Sequence, residues 1–272
     1  MPFPSRHRWF GAATFAAMLL TLLFLVTPLV AILTNTDPRS VFDSLGEPAN
    51  REALLLSLET TTAAMLIVVA VGTPAAYWLA MSSFRGRSMV LTAIELPLVM
   101  PPIVAGIALL AAFGPQGLFG PALNDLGVEL VFETAGVVVA LLSVSSPFYI
   151  RQAIAVFSAL DPGIVDASRT LGSGPCRTFF KVAIPVARPG LASGLALAWG
   201  RALGEFGATL LFAGSLAAVT ETAPLAIFAR FSEPDGFNQA IALSVILIFV
   251  SVALLAAVKL TGGDRAMEGR GL

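Results

Sequence analysis

Six long apolar stretches constrain the fold of this chain more than any other feature. Each is long enough to cross about 30 Å of hydrocarbon as an α-helix, which rises about 1.5 Å per residue. The predicted spans are Gly11–Leu33, Leu54–Met81, Met89–Phe113, Ala135–Phe157, Gly190–Ala213 and Gln239–Leu260. Charged residues make up only 12% of the sequence, and a soluble domain usually carries about 25%. The sequence therefore predicts an all-α, polytopic membrane protein with six transmembrane helices.

The distribution of Lys and Arg predicts how the spans are oriented. With six spans, both termini lie on one side, together with the segments after the second and fourth spans. That side holds twelve of the 16 Lys and Arg residues, counting Arg151 at its edge. The other side holds three, Arg39, Arg51 and Arg230, and Arg201 lies within a span. Because Lys and Arg are enriched in cytoplasmic segments, we expect both termini in the cytoplasm.

The chain is predicted to form a single domain, because no long linker or low-complexity segment separates the spans. We expect residues 1–272 to form one transmembrane unit, with core helices over about residues 50–260 and a cytoplasmic loop over residues 158–189. We expect membrane lipid around the chain and no nucleic-acid partner.

The residue inventory argues against an enzyme. The chain has one cysteine, Cys176, and one histidine, His7, too few for a zinc cluster, and we expect no metal and no cofactor. Ser193 in a glycine-rich span could be a nucleophile, but the only imidazole base is in the N-terminal tail. The sequence contains no Gly-x-x-x-x-Gly-Lys-Ser/Thr phosphate loop. If the chain uses ATP, a partner must hydrolyse it.

Polar and helix-breaking residues occur inside the second and third spans. The run Glu59-Thr60-Thr61-Thr62 offers hydroxyls that can return hydrogen bonds to the helix backbone, and Pro74 predicts a kink. The third span contains Glu95-Leu96-Pro97-Leu98-Val99-Met100-Pro101-Pro102, and three prolines in six residues exclude an ideal helix. Two interpretations stay open: a tilted helix entering the membrane interface, and backbone that lines a conduit.

A polar segment between the fourth and fifth spans has the signals of a short amphipathic helix. Asp161 suits the N-cap and Pro162 the first helical position, and Gly172 suits the position after the C-terminus. The apolar side chains form one stripe: Ile164, Ala167 and Leu171. A helix of about ten residues is too short to be stable alone, so it needs a partner surface. The residues leave three alternatives: docking on another protein, lying on lipid, or packing on its own bundle.

The same segment resembles the cytoplasmic EAA loop of ATP-binding-cassette importer permeases. Asp166-Ala167-Ser168 is followed after three residues by Gly172, and after nine more by Val182-Ala183-Ile184-Pro185. The family motif reads Glu-Ala-Ala, three residues, Gly, nine residues, Ile, one residue, Leu-Pro, so the differences here are mild. The resemblance implies a type I importer permease fold. It also implies that Ile164, Asp166, Ala167, Ser168, Leu171 and Gly172 form a coupling helix that docks on an ATPase subunit.

A narrower resemblance lies downstream. Arg201-Ala202-Leu203-Gly204-Glu205-Phe206-Gly207-Ala208-Thr209, followed by Pro224-Leu225-Ala226-Ile227, is similar to permeases of molybdate and tungstate importers. Sulfate and thiosulfate permeases share a related Arg-Ala-x-Gly-Glu segment and are the alternative. The resemblance implies a plasma-membrane subunit that works as a homodimer, with separate ATPase subunits and an extracytoplasmic oxyanion-binding protein that supplies specificity.

Two opposite charges inside the fifth predicted span need an explanation. Arg201 falls near the middle of Gly190–Ala213, and Glu205 lies one turn further on. A charge at the bilayer centre costs about 3 kcal/mol on insertion scales, so it must be paired or hydrated. Two hypotheses follow: Arg201 and Glu205 form a latch between helices, or Arg201 faces the conduit and attracts an anion. We expect Arg201, Glu205 and Thr209 to belong to the translocation path or its gate.

An ion-coupled secondary transporter is the alternative class. Such a transporter would use intramembrane carboxylates, for which Glu95 and Glu205 are candidates. Retention of an ATPase subunit distinguishes the two classes, since only the importer permease needs one.

Overall fold

The computed structural model describes residues 8–262, and within that range the chain consists of helices joined by turns and loops, with no β-strand. The predicted tails, with Arg6, His7, Arg265 and Arg270, lie outside the described residues. The α-helices are α1 Arg8–Thr34, α2 Pro38–Gly46, α3 Pro48–Met81, α4 Arg87–Val99, α5 Pro102–Phe113, α6 Gly120–Asp125, α7 Thr134–Ser158, α8 Pro162–Thr170, α9 Pro175–Thr178, α10 Ile184–Leu203, α11 Gly207–Phe212, α12 Ala223–Phe231 and α13 Phe237–Gly262. A π-helical segment, Phe179–Ala183, joins α9 to α10.

Five of the six predicted spans are confirmed as long apolar helices, and the third is a bent pair of helices. Five helical runs are long and apolar enough to cross a membrane: α1, α3, α7, the run Pro175–Leu203 and α13. The third predicted span consists of α4 and α5, which together are long and apolar enough to cross but are bent by 117° at the break between them. Met100 and Pro101 are extended at this break, because a residue before proline avoids the helical region and proline itself donates no hydrogen bond. By contrast, Pro74 and Pro97 lie inside α3 and α4 without ending them.

The fifth span differs from its prediction at both ends. The helical run begins at Pro175 rather than Gly190 and ends at Leu203 rather than Ala213. The non-helical turn at Gly204–Phe206 separates it from α11. Arg201 therefore lies in the last turn of α10, and its prediction near the middle of a span is wrong. Since α7 continues to Ser158, only residues 159–174 lie between the two long helices, fewer than the predicted 158–189.

The core lies between α3, α7 and α10. Tyr149 and Phe157 of α7 are fully buried there, and the Tyr149 hydroxyl is 2.6 Å from Thr73 Oγ1 of α3. Two glycines let α10 approach α7 closely. A Cβ atom at Gly190 would collide with Val156, and one at Gly194 would lie 3.0 Å from Gln152 Cβ. Small residues allow such backbone approach in a membrane, where lipid supplies no hydrophobic driving force between helices.

The first helix stands apart from this core. No residue in the apolar window of α1 is buried against the rest of the chain, and among the elements described its main neighbour is α13. Its exposed apolar side chains are suited to lipid, which is as apolar as they are.

Candidate functional site

Two regions contain the residues that the sequence singled out: the short helix α8, and the break between α10 and α11. The N-terminus of α8 is capped as predicted. Asp161 Oδ1 accepts a hydrogen bond of 2.8 Å from the Gly163 N–H, and Pro162 occupies the first turn. At the other end, Gly172 has a φ of +81° and its N–H donates to the Arg169 carbonyl. A left-handed residue at this position is the usual helix stop, and glycine adopts it without a Cβ clash.

The predicted apolar stripe of α8 faces away from the bundle. Ile164, Ala167 and Leu171 are all exposed, and Leu171 has 87% of its surface free. Asp166 and Arg169 are also exposed and lie 4.0 Å apart. Among the three alternatives for this helix, packing of the stripe on its own bundle is therefore excluded by the geometry.

Ser168 differs from the other five predicted coupling residues because it faces inward. It is buried together with Val165, and its Oγ lies 3.1 Å from Oγ1 of Thr178, which is itself fully buried. This hydrogen bond fixes α8 against α9, and α9 continues through the π-helical segment into α10. Ser168 therefore positions the helix, while the residues on its outer side remain free for contact.

Arg201 and Glu205 form an ion pair at the end of α10. Arg201 NH2 lies 2.6 Å from Glu205 Oε2, and the Glu205 side chain is 1% exposed. The other carboxylate oxygen, Oε1, accepts a hydrogen bond of 2.7 Å from the backbone N–H of Ala208 in α11. Glu205 thus connects the last turn of α10 with the first turn of α11 across the break. An ion pair and a charge-assisted hydrogen bond therefore hold the carboxylate in one position.

Thr209, the third predicted path residue, is fully buried in α11. Its Oγ1 has no hydrogen-bond partner among the described residues. Thr209 follows Glu205 by four residues in the sequence. Its side chain is buried and does not lie on an exposed wall.

The two broken helices meet at their breaks. A Cβ atom at Gly207, just after the second break, would lie 3.0 Å from Pro102 Cβ, just after the first. Further along, a Cβ atom at Gly106 of α5 would lie 2.7 Å from Leu211 Cβ of α11. Both discontinuities of the membrane region therefore belong to one packed unit, in which α5 and α11 lie side by side.

Hydrogen bonds that sequence reasoning missed attach α3 to α12 and α10. Ser57 Oγ accepts from the backbone N–H of Ala223 at 2.7 Å, and Trp199 Nε1 donates to Thr61 Oγ1 at 3.1 Å. The hydroxyls of Thr60 and Thr61 also return bonds to their own helix backbone, as predicted. Only that local bonding was visible in the sequence, since nothing in it indicates which distant group a hydroxyl will meet.

Residues 72–261 match the protein family described as "Binding-protein-dependent transport system inner membrane component". This chain belongs to that family. It is a multi-pass inner-membrane permease subunit of an ATP-binding-cassette importer, a class whose permease subunits are not catalytic by themselves. The alternative that Glu95 and Glu205 suggested, an ion-coupled secondary transporter, is not the class to which this family belongs.

Curated relatives and solved structures agree with this assignment. The permease is 41% identical over 240 residues to the molybdenum transport system permease protein ModB of Mycobacterium tuberculosis, covering 87% of this chain and 89% of the relative. It is 30% identical over 254 residues to a probable sulfate transport system permease protein, cysT, of Nephroselmis olivacea, covering 92% and 88%. A crystal structure of a bacterial transporter that imports alginate superposes with a TM-score of 0.75 at 15% identity, covering 94% of this chain and 96% of the other. At that identity the likeness concerns the fold alone.

Proposed function

We propose that this permease carries molybdate or tungstate across the inner membrane, driven by a separate ATPase subunit. The observation that supports the substrate is the 41% identity to a molybdenum transport permease over nearly the whole length of both chains. Sulfate and thiosulfate are the second candidates, because a probable sulfate permease is related at 30% identity.

An uptake experiment tests the substrate. The permease is purified together with its ATPase subunit and its binding protein. The complex is reconstituted into vesicles with ATP inside and molybdate outside. We expect ATP-dependent molybdate uptake that excess tungstate inhibits and that excess sulfate or thiosulfate leaves unchanged. Equal inhibition by sulfate would favour the second candidate, and an absence of ATP-dependent uptake of either anion would contradict the proposal.

The exposed face of α8 is the proposed docking surface for the ATPase. Ile164, Ala167 and Leu171 form an apolar stripe, capped at both ends and fixed from behind by the Ser168–Thr178 hydrogen bond. An amphipathic helix whose apolar side has no contact in its own chain suits a groove on a partner. Asp166 and Gly172 complete the proposed coupling residues, Asp166 at the exposed edge and Gly172 as the helix stop.

This proposal implies an orientation for the permease. The end of the bundle that carries α8 and the turn at residues 82–86 is the cytoplasmic end, and both termini lie there, as the distribution of Lys and Arg indicates. The whole chain acts as one transmembrane domain. Because one conduit needs more walls than the spans of one copy provide, the working unit is a homodimer, which receives its substrate from an extracytoplasmic oxyanion-binding protein.

The Arg201–Glu205 pair is proposed as a latch at the gate rather than as a high-affinity anion site. The charge of Arg201 is compensated by a carboxylate 2.6 Å away, and that carboxylate would repel an oxyanion. The latch holds α10 and α11 at the point where the two broken helices meet, so a movement of one is transmitted to the other. Discontinuous helices of this kind are found where backbone lines a transport path.

A further inference from the structure

A second ion pair lies on the other broken helix. Arg151 of α7 and Glu95 of α4 approach to 3.4 Å, between Nε and Oε1. This pair joins two different membrane helices, whereas the pairs Asp166–Arg169, Arg201–Glu205 and Arg230–Glu233 each join residues three or four apart.

Both members of this pair lie about two turns from the ends of their helices, so Arg151 is further inside than the edge position that the sequence assigned to it. Arg151 precedes the end of α7 by seven residues and Glu95 follows the start of α4 by eight. At 1.5 Å per residue, both side chains therefore start about 10–12 Å inside the proposed cytoplasmic ends of their helices. The pair is also accessible: 67% of the Arg151 side chain and 46% of the Glu95 side chain are exposed.

A charged side chain at this depth does not face lipid, because hydrocarbon gives it no hydrogen bonds and charged groups in membrane segments turn to water or protein. The face shared by α4 and α7 is therefore not a lipid face. Helix α4 itself has no buried residue, packs against α7, and ends at the extended residues Met100 and Pro101. An exposed ion pair on a sparsely packed half-helix, next to a break in the backbone, is what the wall of a water-filled path requires.

We infer that Arg151 and Glu95 line the cytoplasmic half of the conduit, and that Arg151 is an anion contact whose resting counter-ion is Glu95. This inference rests on the proposed function for the anion and on the proposed orientation for the cytoplasmic side of the conduit. The guanidinium presents a planar fork of donors that matches an oxyanion. An exposed ion pair is weak, so an arriving oxyanion can replace Glu95 and then leave when the carboxylate returns. A weak site of this kind permits release.

The contrast with the first pair supports this division of roles. The Glu205 carboxylate is 1% exposed and is also bonded to the Ala208 N–H, so it stays with Arg201. The Glu95 carboxylate is about half exposed and is free to move aside. One pair is built to hold two helix segments together, and the other is built to exchange partners.

Cysteine labelling tests the location independently of the substrate. Cys176 is the only cysteine in the sequence, so Cys176→Ser provides a cysteine-free background. In that background, Glu95→Cys is compared with Val252→Cys, a matched control on α13 where the residue is 58% exposed. A charged methanethiosulfonate reagent is added to inside-out vesicles that contain the permease and its ATPase. Because the reactive thiolate forms in water, we expect at least tenfold faster labelling of Glu95→Cys than of the control. Equal rates would overturn the placement in the conduit.

Transport by charge variants tests the role of Arg151. We expect Arg151→Gln to lower ATP-dependent molybdate uptake at least tenfold while the variant still copurifies with the ATPase and hydrolyses ATP. Arg151→Lys should retain part of the uptake, and the exchanged pair Arg151→Glu with Glu95→Arg should not restore it. Full restoration by the exchanged pair would show a purely structural bridge and overturn the anion contact. If the unmodified permease transports sulfate instead of molybdate, the proposed substrate fails, but the same comparison made with sulfate still decides the role of Arg151.

Discussion

Arg201 and Glu205 meet across the end of a helix, with the guanidinium NH2 2.6 Å from a carboxylate oxygen that is almost completely buried. The second oxygen of Glu205 accepts the Ala208 N–H of the next helix. The pair is therefore a brace between α10 and α11, and its two members are not equivalent. The Arg201 side chain is 27% exposed, so water can hydrate its charge when Glu205 is absent. Glu205 without Arg201 is a buried charge that has no counter-ion.

This asymmetry predicts the effect of breaking the pair. Arg201→Ala should destabilise the permease by about 3–5 kcal/mol, the usual cost of leaving a buried charge uncompensated. The double variant Arg201→Ala with Glu205→Gln should recover most of that loss, since an amide is less costly to bury. Thermal unfolding in detergent measures the stability, and molybdate uptake measures the function.

The same single and double variants distinguish a latch from an anion ligand. If the pair is a latch, uptake recovers in the double variant together with stability. If Arg201 binds the anion directly, uptake stays lost in the double variant even though stability returns, and the latch is contradicted.

The helix stop at Gly172 gives a second prediction. Gly172 has a φ of +81°, whereas Gly174 has a φ of −66°, and an added Cβ atom would meet no heavy atom within 4 Å at either position. The two sites therefore differ in backbone conformation rather than in available space. Gly172→Val should cost about 1–2 kcal/mol through left-handed strain and displace the end of α8, which lowers coupling of ATP hydrolysis to uptake.

Gly174→Val is the matched control for that experiment. It should leave stability and the ratio of anions transported to ATP hydrolysed close to those of the unmodified permease. If both valine variants behave alike, the left-handed stop at Gly172 has no special role in coupling.

The sequence predicted α8 well because all of its signals are local. Asp161 and Pro162 begin the helix and Gly172 ends it, and each acts on its own neighbours. The inward position of Ser168 was not predictable, since it depends on Thr178 of the next element. The same limit applies to Ser57, whose hydroxyl meets the backbone of Ala223 in a distant helix.

The boundaries of the fifth span were wrong for a different reason. Apolar residues lie on both sides of Gly204–Phe206, so the average hydropathy of the stretch does not mark the break. The helix ends there because the Glu205 carboxylate bonds to the Ala208 N–H and pairs with Arg201. The charges were noticed in the sequence, but they were assigned to the middle of a continuous helix. A pair of opposite charges four residues apart, with glycine between them, was the available signal for a turn.

The exposed leucine of α8 gives a third prediction. Leu171 is 87% exposed, so Leu171→Glu should change the free energy of unfolding by less than about 0.5 kcal/mol, as surface substitutions usually do. If Leu171 docks in the ATPase, the charge should weaken association of the two subunits by at least tenfold. Copurification and light scattering in mild detergent measure the association.

Leu126→Glu provides a comparison with the same chemistry elsewhere. Leu126 is 76% exposed and follows α6, in the segment between α5 and α7, which lies at the opposite end of the bundle from α8. Association with the ATPase should be unaffected by this change. A loss of association in both variants would indicate a general effect of added charge rather than a contact at Leu171.

The glycines of α10 give the last prediction, because only one face of that helix lies against α7. A Cβ atom at Gly190 would collide with the branched side chain of Val156, whereas at Gly200 it would meet nothing within 4 Å. Gly190→Ala should therefore destabilise the permease by about 1–3 kcal/mol, the usual cost of overpacking. Gly200→Ala should be neutral or stabilising by up to about 1 kcal/mol, since alanine favours the helix. The double variant Gly190→Ala with Val156→Ala creates room at the same contact and should recover part of the loss in thermal unfolding. The structure shows α7 and α10 in close contact at Gly190. Equal effects of Gly190→Ala and Gly200→Ala would contradict that contact.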